Sequence, residues 1–316
     1  SDGLIRHNLA PERTDSVRRP IAPTTLEDNE RFLRADHHLT VLNHYGQRRL
    51  DGIAALNRAS LVTPPSDFVR QLYLRMGLHE PRSRVVRLGQ PHFDQINRRT
   101  RRSPFYTMRP WDPRTATSPL RFGFFGAMRP SKGIDVLAAA IPLLPREIRQ
   151  RCQFHIRAQG FDWPLRKRLT AYPEVSFGGV YDLFQLIGSG GEYDVGILPH
   201  VWFENSPLVL LEHLHAGKFV LCSRLGGPVE WVKPLENGLL LPGGHPEHLA
   251  EAIGRLVRGE VVIPSPREIH DASPILRSYP DHIREVESIY REAIEGREPP
   301  VVVTSPRAGA HAAPRP

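Results

Sequence analysis

Apolar positions change their rhythm near residue 120, and that change organises the chain. From there to about residue 241, short apolar runs alternate with segments of helical period. The runs predict strands over 120–125, 153–158, 175–177, 193–198, 219–222 and 238–241; the segments between them predict helices over 134–144, 165–171, 182–187 and 208–216. Strands that are apolar on both faces and joined through helices imply a parallel sheet covered on both sides. Two more helices are expected over 248–257 and, after Pro280, over 283–294.

The first 120 residues are less regular. Residues 1 to about 25 carry Pro11, Pro20 and Pro23 without an apolar period and read as loop or extended arm. Leu33, Leu39, Leu42, Leu50 and Ile53 recur on a broadly helical spacing, with Gly46 and Gly52 as breaks. A strand over 59–63, a helix over 67–76 capped by Ser66 and closed by Gly77, and a strand over 84–88 follow. The run Asn-Arg-Arg-Thr-Arg-Arg at 97–102 and the prolines at 104, 110, 113 and 119 show no period and are expected to form an interdomain linker. The tail from Gly296, rich in Pro, Ala and Arg, is expected to be disordered.

Composition narrows the class. A length of 316 residues favours two domains of unequal size, and 40% hydrophobic with 24% charged residues describes a globular protein. No run reaches the roughly 18 to 20 apolar residues of a membrane span, and the first residues lack the apolar core of a signal peptide. Cys152 and Cys222 fall in predicted core strands, where a thiol acts as a small apolar residue, so both are expected reduced and the protein cytoplasmic. A net charge of +8 favours anionic partners without choosing among nucleic acid, anionic lipid and sugar-nucleotide phosphate.

Chemistry in an open parallel sheet is written just past the carboxyl ends of the strands. Three loops stand out there. The first, Gly126-Ala127-Met128-Arg129-Pro130-Ser131-Lys132-Gly133, brings two cations to a helix start, where free amides and the helix dipole favour phosphate. It is also readable as a plain strand-to-helix turn, and its glycine spacing is not that of a Walker loop. The second places Glu204, Asn205, Ser206, Pro207, Leu208 and Val209 at the start of a helix that carries Glu212 eight positions later. Carboxylates accept hydrogen bonds from vicinal hydroxyls, as sugars require, but an acid before a helix also merely complements its dipole. The third loop holds Gly226, Gly227 and Glu230, where paired glycines permit close backbone approach.

Together these segments resemble the family 4 glycosyltransferases. The resemblance rests on Glu204 and Glu212 with seven residues between them, Ala216-Gly217, Val220, Gly226-Gly227, Glu230 and Asn237-Gly238, and on Lys132-Gly133 upstream. It covers about residues 60 to 290 and departs from the family pattern at Ala127, where Arg129 is near enough to substitute. It implies an α/β fold of GT-B type: two Rossmann-like domains, the N-terminal one incomplete and the C-terminal one a doubly wound parallel sheet. The corresponding division is 1–110 for a partial acceptor-side domain and linker, 111–278 for the nucleotide-sugar domain, 279–295 for a helix packing back toward the first domain, and 296–316 for the tail.

The resemblance further implies a retaining transfer of a sugar from a UDP- or GDP-sugar to a hydroxyl acceptor, with no cofactor, and the lack of an Asp-x-Asp motif predicts that the transfer is metal-independent. Lys132, Glu204 and Arg129 take the catalytic roles. Gly126, Asn205, Ser206, Pro207, Leu208, Val209, Glu212, Gly226 and Gly227 bind the donor, Glu204 at the sugar and Glu212 at the ribose, while Glu230 is structural. The first domain would begin before Ser1, so a truncated or divergent chain is expected, and His37, His38 and His44 are poor replacements for the family's early motif. The acceptor is a glycan, lipid-linked saccharide or small molecule. A peripheral contact with anionic membrane at the inner face fits the Arg98–Arg102 cluster, and nucleic acid is not expected as a partner, for no binding module is present. The alternative is a non-catalytic or fragmentary nucleotide-sugar-binding subunit.

Overall fold

The structure, a computed structural model, describes residues 44–160, 163–179 and 193–296. The expected arm at 1–25, His37 and His38, the helix at 182–187 and nearly all of the tail lie outside these residues, as does the side chain of His44. In chain order the helices are α1 (His44–Leu56), α2 (Asp67–Arg75), α3 (Pro91–Arg102), α4 (Ile134–Ala140), α5 (Arg146–Arg149), α6 (Trp163–Leu169), α7 (Leu208–His215), α8 (Pro246–Arg258), α9 (Pro266–Asp271) and α10 (Tyr279–Glu295). The strands are β1 (Leu120–Ala127), β2 (Cys152–Gln159), β3 (Val175–Gly178), β4 (Val195–Leu198), β5 (Phe219–Ser223) and β6 (Gly238–Leu241).

All six strands form one parallel sheet in the order β3-β2-β1-β4-β5-β6. This is the doubly wound, Rossmann-like order, and it explains the unbroken apolar runs. β4 and β5 are buried along their whole lengths. Right-handed crossovers that run outward in both directions from β1 and β4 place the connecting helices on opposite faces. α4 packs against α8, and α7 packs against α3, β4 and β5. Phe122, Phe154, Ile156, Ile197, Phe219, Leu221 and Ile253 are among the buried residues of the resulting core.

Several boundaries shift for local reasons. The helix expected over 134–144 ends at Ala140, and a tight turn carries Ile141–Leu143, because Pro142 has no amide to continue it. The stretch 97–102 is no linker: it is the end of α3, a helix that starts with Pro91 in its first turn and buries Phe93 and Ile96. Its arginines supply positive charge to the last turn, which the helix dipole favours.

The strands expected at 59–63 and 84–88 reduce to one parallel bridge between Val62 and Ser83, extended by the bond from Val86 N to Pro64 O at 2.9 Å. Between them α2 forms as expected. Ser66 Oγ accepts from Val69 N at 3.3 Å, and Gly77 takes a positive φ of 103° past the helix end. α10 lies against this front part of the chain, where Arg84 pairs with Glu292 at 3.0 Å and the His282 ring meets Arg87 O at 3.0 Å. Among the described residues no helix is long and apolar enough to cross a membrane.

Candidate functional site

The sheet order reverses between β1 and β4, the point at which an open parallel sheet offers a crevice beyond the carboxyl ends of its strands. Lys132 enters it from the β1 loop and Glu204 from the β4 loop, and the two form an ion pair. Backbone geometry brings the loops together. Gly133 adopts φ 76°, and a Cβ there would lie 1.7 Å from the carbonyl oxygen of Pro199. Only glycine permits both that conformation and that approach. Val201 N donates to Ser131 O at 3.1 Å and completes the junction.

Glu204 is 8% exposed and held from three sides. Its Oε1 accepts from the Lys132 ammonium and from Trp202 Nε1, the latter at 2.7 Å. Its backbone forms a parallel bridge with Gly226, and Gly227 N donates to Glu204 O at 2.8 Å. A Cβ at Gly226 would come within 2.2 Å of Glu204 O, and one at Gly227 within 1.8 Å of Asn205 O. The backbone approach that these glycines allow in this structure is therefore that of the neighbouring loop. Gly126, by contrast, has φ 148° and open space where its Cβ would stand, which leaves the end of β1 accessible. Arg129 is exposed on the same loop, and no described residue partners its guanidinium.

At the start of α7, Pro207 is the N-cap and has no N–H to give. The amides of Leu208 and Val209 are the first of the helix and find no intrahelical carbonyl. Ser206 Oγ beside them is buried without a partner. Asn205 and Leu208 are exposed. Two amides and one hydroxyl without partners, with the positive end of the helix dipole, thus lie two to five residues beyond Glu204.

Glu212 is almost wholly buried and faces α3, where its Oε1 meets His92 Nε2 at 3.1 Å. Its Oε2 is buried with no hydrogen-bond partner, an unmet demand of the kind a ligand hydroxyl satisfies. Glu230 is the structural acid expected. Its Oε1 accepts from Phe68 N at 2.8 Å and its Oε2 from Arg87 at 2.9 Å, so it ties the Gly226–Glu230 turn to the start of α2. Phe68 also stacks on Phe203 with ring centroids 5.5 Å apart.

Three participants carry no assignment from the sequence. Trp202 bonds Glu204, His92 meets Glu212, and His200 spans two loops through Leu198 O at 3.1 Å and Leu225 O at 3.0 Å. Burial pushes the His200 imidazole down from its ordinary pKa despite the Glu204 carboxylate nearby. The only sequence signal for Trp202 and His200 was their place in the β4 loop; His92 had none beyond following Pro91. The two thiols are free and buried in strands, and burial raises both, Cys152 to about 12. At the start of α8, His245, Glu247 and His248 have ligand-type atoms within 4.8 Å of one another, and the His245–Glu247 bond of 3.0 Å accounts for part of that closeness.

Residues 119–259 match the family described as Glycosyl transferases group 1. Within 132 residues the chain is 34% identical to an exopolysaccharide phosphotransferase of Streptomyces coelicolor; the match takes in 39% of this chain and 14% of that protein. Among solved structures, the Anabaena protein HepE in complex with UDP and glucose is similar with a TM-score of 0.60 at 18% identity, over 78% of this chain and 67% of that one. Sucrose-phosphate synthase of Thermosynechococcus elongatus is similar with a TM-score of 0.62 at 21% identity, over 79% and 62%. A glycosyltransferase of Rickettsia africae aligns over 75% of this chain and 64% of its own. The chain thus spans a seventh of the curated relative and about two thirds of each of these structures.

Proposed function

We propose that this chain transfers a glycosyl group from a UDP- or GDP-sugar to a hydroxyl acceptor, with retention at the anomeric carbon. The observation that carries the reading is the convergence of Lys132, Glu204 and the open amides of α7 on the crevice between β1 and β4. Solved structures of similar fold that hold UDP or UDP-glucose support it, as does the family match over the same residues.

Each group has a part. The diphosphate takes the amides of Leu208 and Val209 and the Ser206 hydroxyl, and it draws the Lys132 ammonium away from Glu204. Glu204 then receives the sugar hydroxyls, and the free Oε2 of Glu212 receives the ribose. As the sugar–phosphate bond breaks, charge grows on the leaving diphosphate, where Lys132, the helix amides and Arg129 stabilise it without a metal. Glu204 and Glu212 bind the donor in this scheme rather than flank a glycosidic bond as a hydrolase pair does. The Arg98–Arg102 end of α3 is the surface on which an anionic membrane would bring a lipid-linked acceptor.

Incubation of the full chain with labelled UDP- and GDP-sugars and a panel of saccharide and lipid-linked acceptors tests the reading. Labelled product is expected. Donor binding with neither hydrolysis nor transfer would instead support a non-catalytic nucleotide-sugar subunit, and no binding would end both.

A further inference from the structure

Trp202 touches both members of the Lys132–Glu204 pair. Its indole N–H donates to Oε1 of Glu204 at 2.7 Å, the oxygen that also takes the lysine, and the Lys132 ammonium lies over the Trp202 ring, 5.6 Å from its centroid. The two holds differ in kind. An ammonium is mobile on a flexible stem and is drawn to whichever anion is nearest, whereas an indole N–H is a donor only and keeps its proton at any ordinary pH. The backbone beside the indole is fixed as well, by the Phe203–Phe68 stack and the Glu204–Gly226 bridge.

Resting on the function proposed above, a further role follows. When a diphosphate draws Lys132 away, the carboxylate loses one of its two donors. The other keeps Oε1 occupied and leaves Oε2 turned to the sugar. We propose that Trp202 is a positioning residue: its indole N–H orients the Glu204 carboxylate for the donor's sugar hydroxyls while Lys132 serves the phosphates.

The role separates sugar recognition from phosphate recognition, and calorimetry reads the two apart. UDP, UDP-glucose, GDP and GDP-mannose are titrated into the full chain, and the nucleotide that binds is carried forward. Trp202→Phe keeps a ring and loses the donor. It is expected to weaken the nucleotide sugar about 10- to 100-fold, the range of a hydrogen bond to a charged group, and to leave the bare nucleotide within about twofold. In protein already carrying Glu204→Ala, which leaves no carboxylate to orient, adding Trp202→Phe should change the sugar affinity by less than about twofold, since both changes remove one interaction.

Equal weakening of nucleotide and nucleotide sugar would overturn the inference, as would no weakening of either. Additive losses in the double variant would overturn it too. Should Trp202→Phe not fold, Trp202→Leu replaces it with the same expected outcomes. If the unmodified chain binds none of the four probes, the proposed function fails and this role with it; if it binds them and the variant does so equally, only this role fails.

Discussion

Both ends of the same sheet bury charge, and they do so differently. At the amino ends of β4 and β5, Asp194 is 3% exposed and takes three donors from Arg121, among them Nη2 at 2.6 Å and the backbone amide at 3.1 Å. Lys218 beside it donates to Tyr193 O at 2.9 Å, and the Tyr193 hydroxyl meets His213 Nδ1 at 2.7 Å. At the carboxyl ends, Lys132 and Glu204 are held less completely: the lysine side chain is 36% exposed, and Ser206 and Glu212 beyond it keep polar atoms with no partner. At the amino ends both charges are met, and the atom left without a partner, Nε2 of His213, belongs to a ring that burial keeps neutral, its pKa lowered to about 3. An unmet hydroxyl or carboxylate oxygen leaves hydrogen-bonding capacity for something that arrives, and that contrast, rather than the mere presence of buried charge, singles out the carboxyl ends.

Substitutions at the two ends should therefore fail in different ways. The largest effect is expected of Glu204→Gln, which removes the charge but not the shape: turnover should fall by about 10²- to 10³-fold while the melting temperature stays within a few degrees. Unchanged turnover would take this residue out of the site. Asp194→Asn should do the reverse. It leaves a guanidinium without its carboxylate, and chemical denaturation should register a loss of about 2–3 kcal/mol, below the ~3–5 of a fully buried pair because Arg121 is partly exposed. Loss of donor binding without loss of stability in this variant would erase the contrast.

A smaller effect comes from pH. Burial lowers the Lys218 pKa from 10.5 to about 8, so between these values the unfolded chain binds the extra proton and the folded chain does not. Stability should then rise with pH from about 8 to 10.5, by up to roughly 1.4 kcal/mol per unit. The buried thiols, raised in the fold, oppose this above about pH 9, so the quantity to measure is the difference between the native chain and Lys218→Met. Identical pH profiles would show that Lys218 is solvated. The smallest change is expected of Arg129→Ala, an exposed cation with no partner among the described residues: about 2- to 10-fold in turnover, with no change in stability.

How much of this could be read from residues alone follows the same contrast. The strands from β1 onward were legible because a sheet covered on both faces needs unbroken apolar runs, and Phe219–Ser223 is such a run. The place of the Glu204 loop at the carboxyl end of a strand was legible because β4 is an unbroken apolar run that ends at Leu198. α3 was not, since its outward positions are Arg and Asn and only Phe93 and Ile96 are buried; Pro91 in its first turn was the available signal. α9 carries a capping box at Ser265 and Glu268 that went unread among short polar residues. The roles of Trp202 and His92 could not be read from spacing. Each depends on a partner that the fold, not the chain order, brings near, and His92 lies 120 positions from Glu212.

The bond from Phe68 N to Glu230 has a mechanical consequence. It fastens the leading segment to the very turn whose glycines hug the carboxylate loop, with Phe68 against Phe203 as a second rivet. Prising that segment off the sheet would tug on the loop that carries Glu204. Seating of the front segment and readiness of the Glu204 loop are then one mechanical variable, and a truncation that removes the first 70 residues should loosen that loop by taking both fastenings away.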